Sequence, residues 1–326
     1  MVSRTDCPQA GEVFAGRSNF QEALALARQN NDPERISAVL RDLGWVIWLR
    51  GNYAQAEAYL KEGFLLAQHL EDPERLSNVL LRLGSLARAR GNYTQAEMYQ
   101  QQGLLLARQT GDRDRICVML INLGVTNGEQ GNYRQADLYF QEGLALARQI
   151  GHREWIGAIL ANLGDSACAL KKYRQAERYL KEGLALLRPL GQPEWMSVLL
   201  TNLGMTMRKQ GHDTQAERYL KEALMLARQL GLPLIIAHAL YEYGHLFLYR
   251  QQAEAATTIF QEMLTLIPEE SQDLMALAHY GLACAATARG NTQQAQVLGE
   301  LSLATLETIG HRYAKEVRLW LNTLKG

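Results

Sequence analysis

Apolar residues along this chain recur at intervals of three and four, and the whole pattern repeats about every forty residues. In the stretch 72–111, Leu76, Val79, Leu80 and Leu83 fall on one side of a helix. A turn at Gly91 follows, and a second apolar stripe then runs along the next helix, at Ala96, Tyr99, Gly103, Leu104 and Ala107. Each block therefore predicts two amphipathic helices, which we call helix A and helix B.

The pair Leu43-Gly44 marks the middle of the first complete block. It returns at the same interval as Leu83-Gly84, Leu123-Gly124, Leu163-Gly164 and Leu203-Gly204, and in altered form as Tyr243-Gly244 and Tyr280-Gly281. A fixed period of this length is typical of a solenoid, because a single helix pair cannot bury its own apolar stripes and must stack on its neighbours. We therefore predict an all-α solenoid.

Helix starts and stops divide the chain into units. Asp72-Pro73-Glu74 is a typical helix start, and glycine closes most helices. The pattern predicts seven A–B pairs, at about 33–72, 73–112, 113–152, 153–192, 193–231, 232–269 and 271–310. One continuous domain, 11–326, would begin with an unpaired B-type helix and end with a capping helix at 312–324, after a disordered segment at 1–10. The unpaired helix is typical of a chain whose preceding segment is disordered or has been removed.

The amino-acid composition limits which classes of binding partner are expected. Lys and Arg together number 34, as do Asp and Glu, so no basic surface for direct nucleic-acid or membrane binding is expected. The four cysteines are far apart and form no Cys-x-x-Cys pair, and no apolar run approaches the length of a membrane span. We expect a soluble, cytoplasmic protein without a cofactor.

The repeat resembles a known family. A bulky apolar residue, Leu-Gly, a turn, and an alanine twelve residues after the glycine resemble the tetratricopeptide repeat; the alanines are Ala56, Ala96, Ala136, Ala176, Ala216 and Ala256. The long repeat is similar to variants in kinesin light chains, in Pins-type scaffolds, and in sensor regions of bacterial STAND regulators with an NB-ARC or MalT-like ATPase. The stretch from Glu142 to Arg148 looks most like the bacterial sensors, although the chain contains no ATPase phosphate loop. The resemblance implies a right-handed α-α superhelical solenoid.

The resemblance also implies a binding site. In this family, helix A positions outside the stacking stripe face a concave groove that holds peptides. Carried over to this chain, they are Asp42, Trp45, Trp48, Arg82, Arg88, Asn122, Asn162, Asp165, Asn202, Met205, Arg208, Glu242, His245 and His279.

Two groups within this set have a specific expected role. The three asparagines can bracket a peptide backbone, because an amide offers both a donor and an acceptor, or they can bond a neighbouring helix. Trp45 and Trp48, beside Arg82 and Arg88, are typical of binding hot spots. Alternatively, the tryptophans pack against a missing N-terminal half-repeat.

Catalysis and metal binding are disfavoured. His238 and His245 are seven residues apart, or ~10 Å along a helix, which is too far to share one tetrahedral ion, although Glu242, His245 and His279 could meet across two helices. A polar lining of the groove explains these residues better, and no nucleophile or phosphate-loop motif occurs. We therefore predict a non-catalytic protein- or peptide-binding scaffold or sensor, part of a bacterial signalling or transcription regulator. Alternatives are a structural array that self-associates through its N-terminal end, and the small-molecule sensor of a STAND-type regulator.

Overall fold

The computed structural model describes residues 10–48, 52–268 and 271–324. Of the disordered segment predicted at 1–10, only Ala10 lies among the described residues, and it begins the first helix. Over the described ranges the chain forms sixteen α-helices and no strand. These are α1 Ala10–Gln29, α2 Pro33–Trp48, α3 Tyr53–His69, α4 Pro73–Ala89, α5 Tyr93–Thr110, α6 Arg113–Glu129, α7 Tyr133–Ile150, α8 Arg153–Ala169, α9 Tyr173–Leu187, α10 Pro193–Lys209, α11 Asp213–Leu230, α12 Pro233–Tyr249, α13 Ala253–Leu266, α14 Gln272–Ala288, α15 Thr292–Thr308 and α16 Ala314–Leu324.

Side chains cap several of the helix starts. The Asp72 carboxylate accepts the main-chain N–H groups of Glu74 and Arg75, both at 3.0 Å, and Pro73 occupies the first helical position. Asn52 caps α3 by accepting the N–H of Gln55 at 3.1 Å. Each cap satisfies an amide that has no partner within its own helix, so the cap fixes where the helix begins.

Contacts between helices divide the chain into two compact units, Met1–Leu123 and Gly124–Gly326, which we call unit 1 and unit 2. In unit 1, α2 packs on α3, α4 packs on α5, and α2 also contacts α4. In unit 2, the pairs α8 with α9, α10 with α11, α12 with α13 and α14 with α15 follow one another, and α16 packs on α15. The A helices α8, α10, α12 and α14 also contact one another in sequence. The predicted all-α fold of stacked helix pairs is confirmed.

One leucine ladder runs through the helix A cores. Its members are at most 1% exposed; they are Leu40, Leu80, Leu120, Leu160, Leu200 and Leu240. Burying each of these side chains stabilises the fold by about 1.5–3 kcal/mol. Buried serines connect the two helices of some repeats, because the Ser37, Ser77 and Ser197 hydroxyls donate to helix B carbonyls at 3.0, 3.1 and 2.9 Å.

Helices B carry several exposed ion pairs. Arg148 reaches Glu182 at 2.5 Å and Arg228 reaches Glu262 at 2.6 Å, each pair joining one helix B to the next. About half of each of these arginine side chains is exposed, so the pairs contribute at most about 1 kcal/mol each to stability.

No helix in the described ranges is both long and apolar enough to cross a lipid bilayer.

The glycine of the Leu-Gly pair is where helix B approaches helix A. A Cβ added at Gly204 would lie 2.5 Å from Leu220 Cγ and 3.3 Å from the carbonyl oxygen of Ala216. Gly128, which also lies in a helix A, would meet no atom within 4 Å. Close packing therefore explains why position 204 is a glycine, whereas at position 128 it leaves room for a larger side chain.

This contrast predicts opposite effects of one substitution. Gly204→Ala should lower the free energy of unfolding by roughly 1–2 kcal/mol, because the overlap with Leu220 outweighs the gain in helix propensity. Gly128→Ala should leave stability unchanged or raise it by up to about 1 kcal/mol. Urea unfolding followed by circular dichroism measures both. Equal effects of the two substitutions would contradict the close-packing explanation.

Candidate functional site

The structure places the predicted site residues on helices A of both units. In unit 1, α2 carries Trp45 and Trp48, and α4 carries Arg82. The two indole rings lie 4.3 Å apart between centroids, and the Arg82 guanidinium carbon lies 3.9 Å over the Trp45 ring. A cation held over an indole face at this distance is attracted by the electrons of the ring. Trp45 therefore contacts both of the other two residues, and we call these three residues, which the sequence predicted as anchors, the Trp45 platform.

Exposure differs within the Trp45 platform. Trp45 is 7% exposed, while Trp48 and Arg82 are partly exposed. Trp48 also packs against the apolar core of unit 1. The platform is consequently partly buried, and Trp48 and Arg82 form its accessible part.

The other predicted residues of unit 1 make local contacts. The Asp42 carboxylate accepts two hydrogen bonds from the adjacent Arg41 guanidinium, at 2.7 and 2.9 Å. The Asn122 amide donates to the Val118 carbonyl one turn earlier, at 2.9 Å. Arg88 is partly exposed on α4. The Asp42 charge is thus balanced within its own helix.

The asparagines of unit 2 use their amides in two ways. Asn162 donates to the Ala158 carbonyl of its own helix at 2.8 Å, whereas Asn202 donates to Ala161 on the neighbouring helix A at 3.1 Å. The Oδ1 atoms of both residues accept no hydrogen bond from the described part of the chain. Each amide therefore has a structural contact and keeps an acceptor.

An ion pair links α10 to α12. Arg208 donates to Glu242 at 2.6 Å, and their side chains are only 13% and 9% exposed. Met205, one turn before Arg208, is buried and packs against Ala167 and Cys168. These predicted groove residues thus contact other parts of unit 2.

His245 and His279, the two histidines predicted to line the groove, lie on helices A of unit 2. His245 lies edge-on to Tyr241, 4.5 Å between centroids, and 5.5 Å from Phe260. Burial, aided by the nearby Arg208 charge, holds the pKa of His245 well below its usual range. Burial also lowers the pKa of His279. Both imidazoles are therefore neutral at neutral pH.

Side chains with the chemistry of metal ligands occur at His238, Glu242, His245 and His279. Within the described ranges, no group of three or more His, Cys, Asp or Glu side chains is arranged to hold a metal ion. Glu242 pairs with Arg208 instead, and His245 is enclosed by aromatic rings.

The sequence did not predict the role of the turn that follows α15. Arg312 in this turn donates to the Asp165 carboxylate at 2.6 and 3.4 Å, across 147 residues of sequence. The Arg312 main-chain N–H donates to the Glu129 carbonyl at 2.8 Å. Because the turn lies after the last repeat, the repeat pattern carries no signal for these contacts. Asp165, which is predicted to contact a ligand, pairs with this residue of the same unit.

The Arg208–Glu242 pair predicts that removal of one partner destabilises the protein more than removal of both. Glu242→Leu should lower the free energy of unfolding by about 3 kcal/mol, because it leaves the Arg208 charge buried and unpaired. The double variant Arg208→Met/Glu242→Leu should recover most of that loss, since it buries no charge. Chemical denaturation of both variants measures the difference. A double variant no more stable than the single one would contradict the paired arrangement.

Comparison with protein families identifies the repeat. Residues 75–149 and 155–229 match the sequence model of the tetratricopeptide repeat. A second model, that of anaphase-promoting complex subunit 5, matches residues 11–52. A search of curated protein sequences gives no match.

Solved structures share the fold at low sequence identity. NprR in complex with its cognate peptide NprX is 14% identical, with a TM-score of 0.63 and coverage of 95% of this chain and 99% of that one. A Rap protein complexed with competence and sporulation factor is 14% identical, with a TM-score of 0.68 and coverage of 94% and 89%. The Rap conjugation gene regulator of the plasmid pLS20, in complex with the Phr* peptide, is 14% identical, with a TM-score of 0.67 and coverage of 87% and 77%. Together with the stacked helix pairs, the match shows that this is a tetratricopeptide-repeat protein over residues 75–149 and 155–229.

Proposed function

We propose that the chain is a non-catalytic scaffold or sensor that binds a peptide segment on the helix A side of unit 1. The observation that carries this proposal is the Trp45 platform, in which Arg82 of α4 is stacked over an indole of α2. Tryptophan and arginine are enriched at binding hot spots, because both offer a large contact area together with hydrogen-bond donors. Binding of a peptide side chain against Trp48 and Arg82 would cost the protein little conformational entropy, because both side chains are already in contact with Trp45.

The remaining predicted residues of unit 1 would supply the polar contacts. Asn122 keeps its Oδ1 acceptor after bonding Val118, so it can accept a peptide N–H. Asp42 and Arg88 are partly exposed on the two helices that carry the platform. We place the principal site in unit 1 because Asp165, Arg208 and Glu242 in unit 2 are paired within the chain.

The structural relatives support a peptide partner. NprR and the pLS20 regulator are each in complex with a peptide, and the Rap protein is in complex with competence and sporulation factor, on a similar fold. The pLS20 protein is a gene regulator, which supports a role for this chain within a cytoplasmic bacterial regulator.

The chemistry of the cysteines favours binding over catalysis. Burial raises the pKa of Cys168 to about 11 and the pKa of Cys117 to about 12. Both thiols therefore stay protonated at neutral pH, whereas a nucleophilic cysteine needs a thiolate.

A displayed peptide library tests the proposal. The wild-type chain should enrich a family of related peptides, and Arg82→Glu should lower binding of those peptides at least about ten-fold, because it removes the stacked cation. Trp45→Ala/Trp48→Ala should abolish binding.

The matched control for this experiment lies on helices B. Leu65→Ala/Leu105→Ala alters two residues that are 64% and 59% exposed, and it should leave peptide binding unchanged. Thermal unfolding identifies the variants that remain folded. The proposal is wrong if folded Arg82→Glu protein binds the selected peptides as tightly as the wild type does.

A further inference from the structure

A cavity of about 450 Å³ lies between α9 and α11, on the side of unit 2 that the helices B form. Leu184 and Ala185 of α9 and Tyr219 of α11 supply its apolar lining. Leu184 is buried, and Tyr219 is partly buried against the apolar core of unit 2, so packing holds both side chains in place. Ligand cavities in proteins have volumes of about 300–1,000 Å³, so this one has room for a small organic molecule.

The small side chain at position 185 leaves this space open. At the corresponding position of other repeats the chain has Leu65, Leu105 and Met225, each of them more than half exposed. Because Ala185 lines the cavity, a side chain of that length at this position would fill part of it. The cavity is therefore a feature of this repeat and does not follow from the repeat pattern alone.

Three cations line the cavity, and two of them are paired with carboxylates. Lys181 donates to Glu177 of its own helix at 2.6 Å, and Arg188, directly after α9, donates to Glu222 across the groove at 3.1 Å. The Lys181 and Arg188 side chains are 57% and 54% exposed, so water weakens both attractions. An ammonium group also has three donors, so Lys181 keeps two after bonding Glu177.

The third cation, Arg218, has no carboxylate partner. It makes no hydrogen bond or ion pair with any residue that the structure describes, and its guanidinium carbon lies 5.0 Å from the centre of the Tyr219 ring. The Tyr219 hydroxyl likewise has no hydrogen-bonding partner in the described ranges, although it can donate one bond. The cavity thus offers one uncompensated positive charge and several unused donors.

The neighbouring groove, between α7 and α9, shows which features are particular to the cavity. Arg178 lies 5.4 Å from the centre of the Tyr179 ring there, so the stacked pair is repeated. The position that corresponds to Lys181 is Gln141, and its amide donates to the Tyr179 hydroxyl at 3.1 Å. The α7–α9 groove consequently has one cation fewer, and its tyrosine oxygen already accepts a hydrogen bond.

We infer that the cavity between α9 and α11 binds a small organic phosphate, with Arg218 and Lys181 as counter-charges and the Tyr219 hydroxyl as a further donor. A phosphate group has three terminal oxygens, so it can accept from a guanidinium, an ammonium and a hydroxyl at once, whereas a carboxylate has only two oxygens. The organic part of the ligand packs against Leu184 and Ala185. The site lies on the helices B, and it does not depend on the Trp45 platform.

Isothermal titration calorimetry of the full chain with phenyl phosphate tests this inference. The wild type should bind one equivalent, and Arg218→Ala should weaken binding at least about ten-fold, because it removes charge-assisted hydrogen bonds. Lys181→Gln, which introduces the residue of the neighbouring groove, should weaken binding several-fold. Ala185→Leu keeps every charge but fills the cavity, so it should abolish binding. Benzoate, with one oxygen fewer, should bind the wild type more weakly than phenyl phosphate does.

Two control variants separate this site from other effects. Arg178→Ala removes the equivalent stacked arginine of the neighbouring groove, and it should bind phenyl phosphate as the wild type does. Trp45→Ala/Trp48→Ala should also leave this binding unchanged, so failure here is distinct from failure of the site in unit 1. Arg178 and Arg218 are both exposed, so both alanine variants should fold, and thermal unfolding checks this.

Three results would each overturn the inference. The first is a wild-type chain that does not bind phenyl phosphate at millimolar concentrations. The second is benzoate binding as tight as that of phenyl phosphate, since this would remove the preference for a phosphate group. The third is an equal loss of binding in Arg178→Ala and Arg218→Ala, because general attraction to a basic surface would then explain the result.

Discussion

Burial of the paired apolar stripes between helix A and helix B is the constraint on which the rest of the structure depends. Each helix has an apolar face that must be covered by its partner helix and by the next pair. The leucine ladder from Leu40 to Leu240 lies at the centre of these contacts, and it is almost completely buried. Where the backbones come closest, glycine is required: Gly204 leaves room for Leu220, which any larger side chain would displace.

The same constraint leaves one side of each helix A free to vary, and the two units use that freedom differently. In unit 1 the variable positions hold the Trp45 platform, where a cation and two indoles are in contact. In unit 2 they hold charges that are paired within the chain, Arg208 with Glu242 and Asp165 with Arg312. A buried charge must be paired, so these positions in unit 2 take part in the structure as well as in any recognition.

The repeat fold was predictable from sequence because its causes are local or periodic. The helix start at Asp72 follows from side-chain chemistry, and the leucine ladder, which includes Leu80, follows from the spacing of apolar residues.

The geometry of the candidate site was predictable only in part. The repeat register places Trp45 and Arg82 on adjacent A helices, which brings them together, but it does not state which side chain pairs with Asp165. That partner, Arg312, lies in a turn outside the repeat, and no periodic signal connects positions 147 residues apart. Whether an asparagine amide bonds its own helix, as in Asn162, or the neighbouring one, as in Asn202, depends on side-chain rotation that the repeat pattern does not specify.

The central claim is that stacking of the helix pairs leaves the Trp45 platform available to a peptide. Its most direct measurement is a crystal structure of the chain with a peptide selected by its affinity for the wild-type protein. The expected result is that the peptide lies along the helix A side of unit 1, with one of its side chains packed against Trp48 and Arg82. A peptide bound to the helices B, with the Trp45 platform uncovered, would contradict it.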